Sequence, residues 1–293
     1  MKITEVRAIP LSIPVRPLVP DSSWRAGIGK QILVRVTTDD GIVGWGECFA
    51  YGAPLAVCNV VDEALAAIVI GQDPTRIEFL TDQMHRALMI WGRRGLAMFA
   101  VSGIELALWD IAGKARGVPA YQLLGGLCRP RARAYASLLR YQTPDEVRRA
   151  CAAMLALGYG AIKLHQTDVE SVAAARETAG PHVDLMLDTN CPWTVEETIR
   201  IGRRLEAYDL RWLEEPVWPP EDYAGLARVR ASLGISIACG ENEATVHAFR
   251  QIIDAGAADI VQPSMTKVGG LGEMKKIATL AAAANVTFVP HSF

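Results

Sequence analysis

Residues 161–190 read AIKLHQTDVESVAAARETAGPHVDLMLDTN. Two short apolar runs, 161–164 and 185–187, flank an amphipathic, Ala-rich stretch at 168–179. That pattern is one βα unit leading into the next strand. The unit recurs outward in both directions. Strands are expected at 132–137, 161–164, 185–187, 212–213, 235–238, 259–261 and 286–289, and helices at 144–157, 168–179, 194–207, 222–233, 245–255 and 270–284. Alternation of this kind, at roughly 25 residues per unit, requires an α/β architecture with a parallel sheet. Seven consecutive units point to a (β/α) barrel, a modified TIM barrel, over an open doubly wound sheet. No GxGxxG follows the first strand, which disfavours dinucleotide binding. A closed barrel needs an eighth strand, and none is found before Phe293. An open barrel would expose two sheet edges, so the chain is expected to be a fragment of a longer protein.

The first third has a different texture. Strands are expected at 3–13, 31–38 and 44–48, the last two joined by the hairpin turn Asp39-Asp40-Gly41. A Pro- and Gly-rich loop at 14–30 has the length of a functional lid. Helices follow near 57–70, 75–90 and 96–116. The last is apolar on most faces, predicting burial, and Gly117-Val118-Pro119 stops it.

Composition excludes several classes. The 293 residues carry 30 basic and 32 acidic side chains, a net charge of -2. No basic stripe suits nucleic acid, and Arg129, Arg131 and Arg133 read as solvated surface. No run is expected to cross a bilayer, and Met1–Val6 alternates like a strand instead of forming a signal peptide. Six scattered cysteines without a CxxC motif fit reduced thiols in a cytoplasmic protein. The expected partner is a small carboxylate, with neither nucleic acid nor membrane, and the expected assembly is a homo-oligomer.

Catalytic groups in such barrels sit where strands end and βα loops begin. The second strand ends Lys163-Leu164-His165, the third Asp188-Thr189-Asn190, the fourth Glu214-Glu215-Pro216 and the fifth Gly240-Glu241-Asn242. The sixth runs into Pro263-Ser264-Met265-Thr266-Lys267, and the seventh ends Pro290-His291-Ser292. Three successive strands thus each deliver one carboxylate to one rim. Strands lie about 4.8 Å apart, so Asp188, Glu214 and Glu241 can converge. They would repel strongly without a cation among them. An all-oxygen set suits Mg²⁺, with Mn²⁺ as the alternative. Surface carboxylates or helix caps are the plain alternative, against which their recurrence on three strands argues.

Lys163 and His165 on one side, and His291 on the other, are the base candidates. A proton beside a carboxylate is very weakly acidic, and its removal leaves an enediolate. A metal and a nearby cation stabilise that charge. Lys163 beside His165 is expected to have a depressed pKa, bringing it toward the range a base needs. His165 could instead be a structural histidine.

The stretch Ala100-Val101-Ser102-Gly103-Ile104-Glu105-Leu106-Ala107-Leu108-Trp109-Asp110-Ile111-Ala112-Gly113-Lys114, with Leu123-Leu124-Gly125-Gly126, resembles the signature of the mandelate racemase/muconate lactonising enzyme family of the enolase superfamily. So do Gly44-Trp45-Gly46-Glu47, Trp212-Leu213-Glu214-Glu215-Pro216, Gly240-Glu241-Asn242 and Lys267-Val268-Gly269-Gly270. The resemblance implies an α+β capping domain, here 1–127, over a modified barrel, here 128–293. It implies Mg²⁺ on Asp188, Glu214 and Glu241. It also implies covering loops near 14–30 and 48–54, around Trp24 and Tyr51; the plain reading makes these two core aromatics. Glu215, Asn190 and Lys267 would contact substrate or support the ligands.

Two departures stand out. The family's Lys-x-Lys becomes Lys163-Leu164-His165, which puts histidine where the second lysine acts as base. Ser264 stands where the racemase branch has the aspartate that pairs with its histidine, here His291, and where the muconate branch has a lysine. The expected reaction is dehydration of a sugar acid or related hydroxycarboxylate. The alternative enzyme reading is racemisation or epimerisation, which needs bases on both faces. A non-catalytic metal-binding relative or truncated product is the rival from another class.

Overall fold

The computed structural model describes residues 1–15 and 27–292, without the side chains of 27 and 28. Strands β1 (Ile3–Val15), β2 (Gly27–Thr38) and β3 (Val43–Cys48) form an antiparallel sheet in the order β1-β2-β3. The hairpin lies where Asp39-Asp40-Gly41 places it, with Gly41 N donating to Thr38 O at 3.1 Å. The expected loop at 14–30 is shortened at both ends. Val15 still pairs with Gly27, so its described ends are strand, and Trp24 lies outside the described residues.

Helix α1 (Pro54–Asn59), a π-helical turn (Val60–Leu65) and α2 (Ala66–Val69) follow, then α3 (Ile77–Ala87), α4 (Leu96–Arg116) and α5 (Ala120–Leu123). Gly117, left-handed at φ 65°, caps α4. Contrary to the expectation that no run could cross a bilayer, α4 is long and apolar enough to do so. Its apolar residues have another use. Ala100, Val101, Ile104, Ala107, Leu108 and Ile111 are fully buried, and they form one core with Val34 and Val36 of the sheet.

Six βα units and a seventh strand build the rest of the described chain. The strands are β4 (Ala136–Ser137), β5 (Ala161–Leu164), β6 (Asp184–Asp188), β7 (Leu210–Glu214), β8 (Ile237–Cys239), β9 (Ile260–Val261) and β10 (Thr287–Phe288). The helices are α6 (Pro144–Ala156), α7 (Val169–Ala179), α8 (Val195–Leu205), α9 (Tyr223–Ser232), α10 (Thr245–Asp254) and α11 (Leu271–Ala283). Local chemistry starts them where they start. Thr143 with Glu146, and Thr194 with Glu197, form capping boxes on α6 and α8, and Asp168 caps α7. The sheet is parallel and runs β10-β9-β8-β7-β6-β5-β4. Its edge strands, β10 and β4, are not paired with each other among the described residues.

Side chains alternate between the two faces of this sheet. Ile162, Leu164, Leu185, Leu187, Leu213, Ile237, Cys239 and Val261 join the core formed with the helices. Ala161, Met186, Trp212, Ala238 and Ile260, with half-buried Tyr135 and Val289, form a separate cluster on the opposite face. One such residue comes from or beside each of the seven strands, which is how side chains fill a barrel interior.

The α4 helix also ties the first sheet to the barrel. Buried Glu105 accepts from Leu271 N (2.7 Å), Gly272 N (2.8 Å) and Trp109 Nε1 (2.7 Å). It thereby satisfies two of the orphan donors at the α11 N-terminus. Trp109 is thus a donor across one turn of its own helix. At Gly270 (φ 97°) an added Cβ would lie 2.0 Å from Glu105 Oε2, so Lys267-Val268-Gly269-Gly270 is a docking loop. Burial pushes Glu105 up to about 7 from 4.5, opposed by its three N–H donors. A carboxyl raised in the folded state contributes stability in full below the unfolded value, and that contribution is lost as pH rises toward 7. Thermal unfolding at pH 5 and 7.5 is therefore expected to show the wild type losing about 2 kcal/mol relative to Glu105→Gln as pH rises. A gap between the two proteins that ignores pH would refute this.

Candidate active site

Two residues beyond the inner cluster, the same alternation carries Lys163, Asp188, Glu214, Gln262 and His291 onto the interior face at the strand ends. Glu241 follows one residue later, past Gly240. In register, Asp188 stands beside Glu214 on the next strand. Carboxylate oxygens of Asp188, Glu214 and Glu241 lie within 4.8 Å of one another.

Each carboxylate is met by a basic group. Lys163 Nζ donates to Glu214 Oε1 (2.7 Å) and Asp188 Oδ2 (3.1 Å). His165 Nε2 is 3.1 Å from the same Asp188 oxygen, and His291 Nε2 is 3.0 Å from Glu241 Oε2. The other oxygens are oriented by neutral donors. Asn190 gives Asp188 Oδ1 both its backbone N and Nδ2, each at 3.0 Å. Trp212 Nε1 and Gln262 Nε2 both reach Glu214 Oε2 at 2.9 Å. His165 Nδ1 meets the Leu138 carbonyl. A carbonyl only accepts, so Nδ1 carries the proton and Nε2 faces the site.

Burial would raise all three acids, yet their partners decide the outcome. His165 and Lys163 hold Asp188 well below its usual value, and the His291 hydrogen bond lowers Glu241. Glu214 is raised, by burial and by Asp188. Lys163 corrects an expectation. Burial would lower it, but Glu214 and Asp188 pull it above its ordinary value. Proximity to carboxylates outweighs the effect assigned to His165. The donor set fits a hard divalent cation: three carboxylates and no sulphur, with three basic groups turned toward their oxygens.

Glu215 is buried, with Oε2 accepting from Asn242 Nδ2 at 2.6 Å and lying 3.5 Å from Cys191 Sγ. Burial and the neighbouring acids push it up to about 8. Burial lowers Lys267; its Nζ lies 3.9 Å from Glu241 Oε1 and 4.3 Å from the centre of the Phe49 ring. Ser264 is buried and bridged through its backbone to His291, while its hydroxyl lies 3.3 Å from Thr266 Oγ1. His291 Nδ1 is buried without a partner among the described residues.

Tyr51 is 71% exposed, which overturns the reading of it as a core aromatic. It stacks on Phe49, and Phe49 is the aromatic of that loop that reaches the site. Phe49, Gln262, Trp212 and Arg140 are absent from the sequence candidates. Gln262 carries the signal of a polar residue just after an apolar strand, one position before Pro263. Arg94, in the loop before α4, donates to Asn242 O (3.2 Å), Glu221 Oε1 (2.6 Å) and the Glu243 carboxylate. It ties the first domain to the loop carrying Glu241. All six cysteines are unpaired, as expected.

Comparison with known proteins agrees with this arrangement. Residues 9–125 match the mandelate racemase/muconate lactonizing enzyme N-terminal domain, and residues 146–293 match the enolase C-terminal domain-like family. A D-galactarolactone cycloisomerase from Agrobacterium fabrum is 39% identical, over 99% of this chain and 78% of that protein. An arabinonate dehydratase from Saccharolobus solfataricus is 36% identical, over 89% of this chain and 72% of its own length. Among solved structures, a Streptomyces coelicolor racemase with bound magnesium superposes with a TM-score of 0.92 at 33% identity, covering 99% of this chain and 84% of that one.

Proposed function

The chain belongs to the mandelate racemase/muconate lactonizing enzyme family of the enolase superfamily, and from that premise we propose that it is a Mg²⁺-dependent enzyme that removes the proton α to a carboxylate and dehydrates a sugar acid or related hydroxycarboxylate. The observation that carries this reading is the triad of buried Asp188, buried Glu214 and partly exposed Glu241 between basic groups on two sides. We assign residues 1–127 to the cap and 128–293 to the barrel. Mn²⁺ suits the same oxygen set, and a cytoplasmic homo-oligomer is the setting this reading assumes.

Bound to the triad, Mg²⁺ would supply the positive charge that stabilises an enediolate. The chain's own groups do the rest. Lys163, released from its two carboxylates, offers an ammonium to the substrate carboxylate and supports the developing negative charge. The Leu138 carbonyl fixes the His165 tautomer, and once Asp188 is otherwise engaged Nε2 presents a lone pair to the α-proton. On the opposite side, His291 holds the proton for the departing β-hydroxyl. Lys267 and Asn190 stand where they can meet further substrate oxygens.

Racemisation is the second reading. It is favoured by His165 and His291 flanking the triad on two sides, since returning a proton to the other face needs a second acid. Incubation with a panel of sugar acids in D₂O tests both. The expected product is a 2-keto-3-deoxy acid carrying deuterium at C3, because C2 becomes the ketone and the enol takes its solvent proton at C3. An inverted stereoisomer would favour the racemase. No exchange with any acid, in protein that still binds Mg²⁺, would reject both.

A further inference from the structure

The metal site is braced from a direction the triad itself does not reveal. Arg140 follows β4 and is exposed. Its guanidinium spans the ends of the next two strands: Nε donates to His165 O at 2.9 Å, and Nη2 donates to Thr189 O at 3.0 Å and Asn190 Oδ1 at 3.1 Å. These are three acceptors on the two segments that carry His165 and Asp188.

The contact to Asn190 fixes the direction of an amide. With Oδ1 turned toward the guanidinium, Nδ2 must face Asp188, and it does so at 3.0 Å. Backbone N of Asn190 reaches the same Asp188 Oδ1 at 3.0 Å. One oxygen of Asp188 is thereby saturated, and Oδ2 is left facing Lys163 and His165 inside the site. Asn190 (φ 55°) and Cys191 (φ 57°) are both left-handed. Non-glycine residues adopt that backbone at a cost and need their surroundings to hold it. Two of the three Arg140 contacts fall on Thr189 and Asn190, at the entry to that segment.

We infer that Arg140 is a positioning residue, whose planar fork aligns Asp188 through Asn190 and fixes the backbone at His165, so that the site is organised to take a divalent cation. This rests on the reading of the triad as a metal site. Arginine suits the task because its donors are fixed in one plane, whereas a lysine ammonium is a point charge that cannot span three acceptors.

Calorimetric titration with MgCl₂ tests the inference without any substrate. Arg140→Ala is expected to bind Mg²⁺ about 10-fold more weakly, the usual scale for losing a group that orients a ligand, while melting within about 2 °C of wild type, as an exposed site allows. Arg140→Lys, which keeps the charge and loses the fork, should recover less than half of that loss. In an Asn190→Ala background, Arg140→Ala should cost clearly less than it does in the wild type, because only its backbone contacts to His165 and Thr189 remain to be lost. Unchanged affinity in Arg140→Ala, full recovery by lysine, or additive losses would each overturn the inference. A wild type that binds no Mg²⁺ would instead overturn the reading of the triad, and the inference with it.

Discussion

Glu241→Gln is expected to abolish measurable Mg²⁺ binding and, with it, proton abstraction from the substrate α-carbon, read as deuterium exchanged from D₂O into the acid. Glu241 is one of three carboxylates whose oxygens lie within 4.8 Å of one another. Substitution removes one of the negative charges drawing the cation in, and charge count sets the affinity of an all-oxygen site. The change also strips His291 (3.0 Å) and Lys267 (3.9 Å) of their counter-charge. The Lys267 ammonium then faces the site without its nearest carboxylate and repels an incoming ion. Both effects act in one direction in a pocket screened from solvent. Affinity is expected to fall by at least about 100-fold and exchange by about 1,000-fold. Titration calorimetry and mass spectrometry of the recovered acid read these quantities. Glu170→Gln, a substitution on the outer helix α7, should change neither. Undiminished Mg²⁺ affinity in Glu241→Gln would remove Glu241 from the ligand set.

The triad is legible in the sequence because each acid follows an apolar strand at the same end. Period-two alternation does the rest, since the interior face that holds Met186 and Trp212 must also receive Asp188 and Glu214. Helix starts are equally legible, from Thr143 with Glu146 and Thr194 with Glu197. What escapes the sequence depends on distances between segments far apart in the chain. Glu105 reads as one polar residue in an apolar helix, because its partners Leu271 and Gly272 lie on another element altogether. Arg140 is hidden because it lies three residues past the end of β4 and its acceptors belong to His165, Thr189 and Asn190, at the ends of other strands. The sign of the Lys163 shift is set by two carboxylates at hydrogen-bond range, a fact of geometry that neighbouring residues do not encode. Phe49 and Tyr51 are alike in sequence, and only packing distinguishes the one beneath from the one outside.

Gly46→Ala is expected to destabilise the first domain more than any ordinary surface change. Strand β3 crosses α4 so closely that an added Cβ at Gly46 would lie 2.0 Å from Gly103 O and 2.8 Å from Ala107 N. Both are backbone atoms of a fully formed helix, so no side-chain rotation can relieve the clash. The helix must retreat from the sheet, and Val34, Val36, Ile104 and Leu108, all fully buried, would lose contact together. Overpacking of flexible cores costs about 1–3 kcal/mol, and a backbone clash belongs at or above the top of that range. A loss of about 3 kcal/mol corresponds to a melting shift of about 6–12 °C in a domain of moderate size. The damage should reach the active site by one route. Residues 49–53 follow β3 directly, and Phe49 lies over Lys267; a displaced strand lifts the ring from that ammonium and weakens substrate retention. Mg²⁺ affinity should be preserved, because the triad stands on strands packed in a separate core. Differential scanning calorimetry together with Mg²⁺ titration separates these effects. A melting shift below about 2 °C would mean that β3 and α4 can part at little cost, and lost Mg²⁺ affinity in still-folded protein would mean that the two cores are not independent.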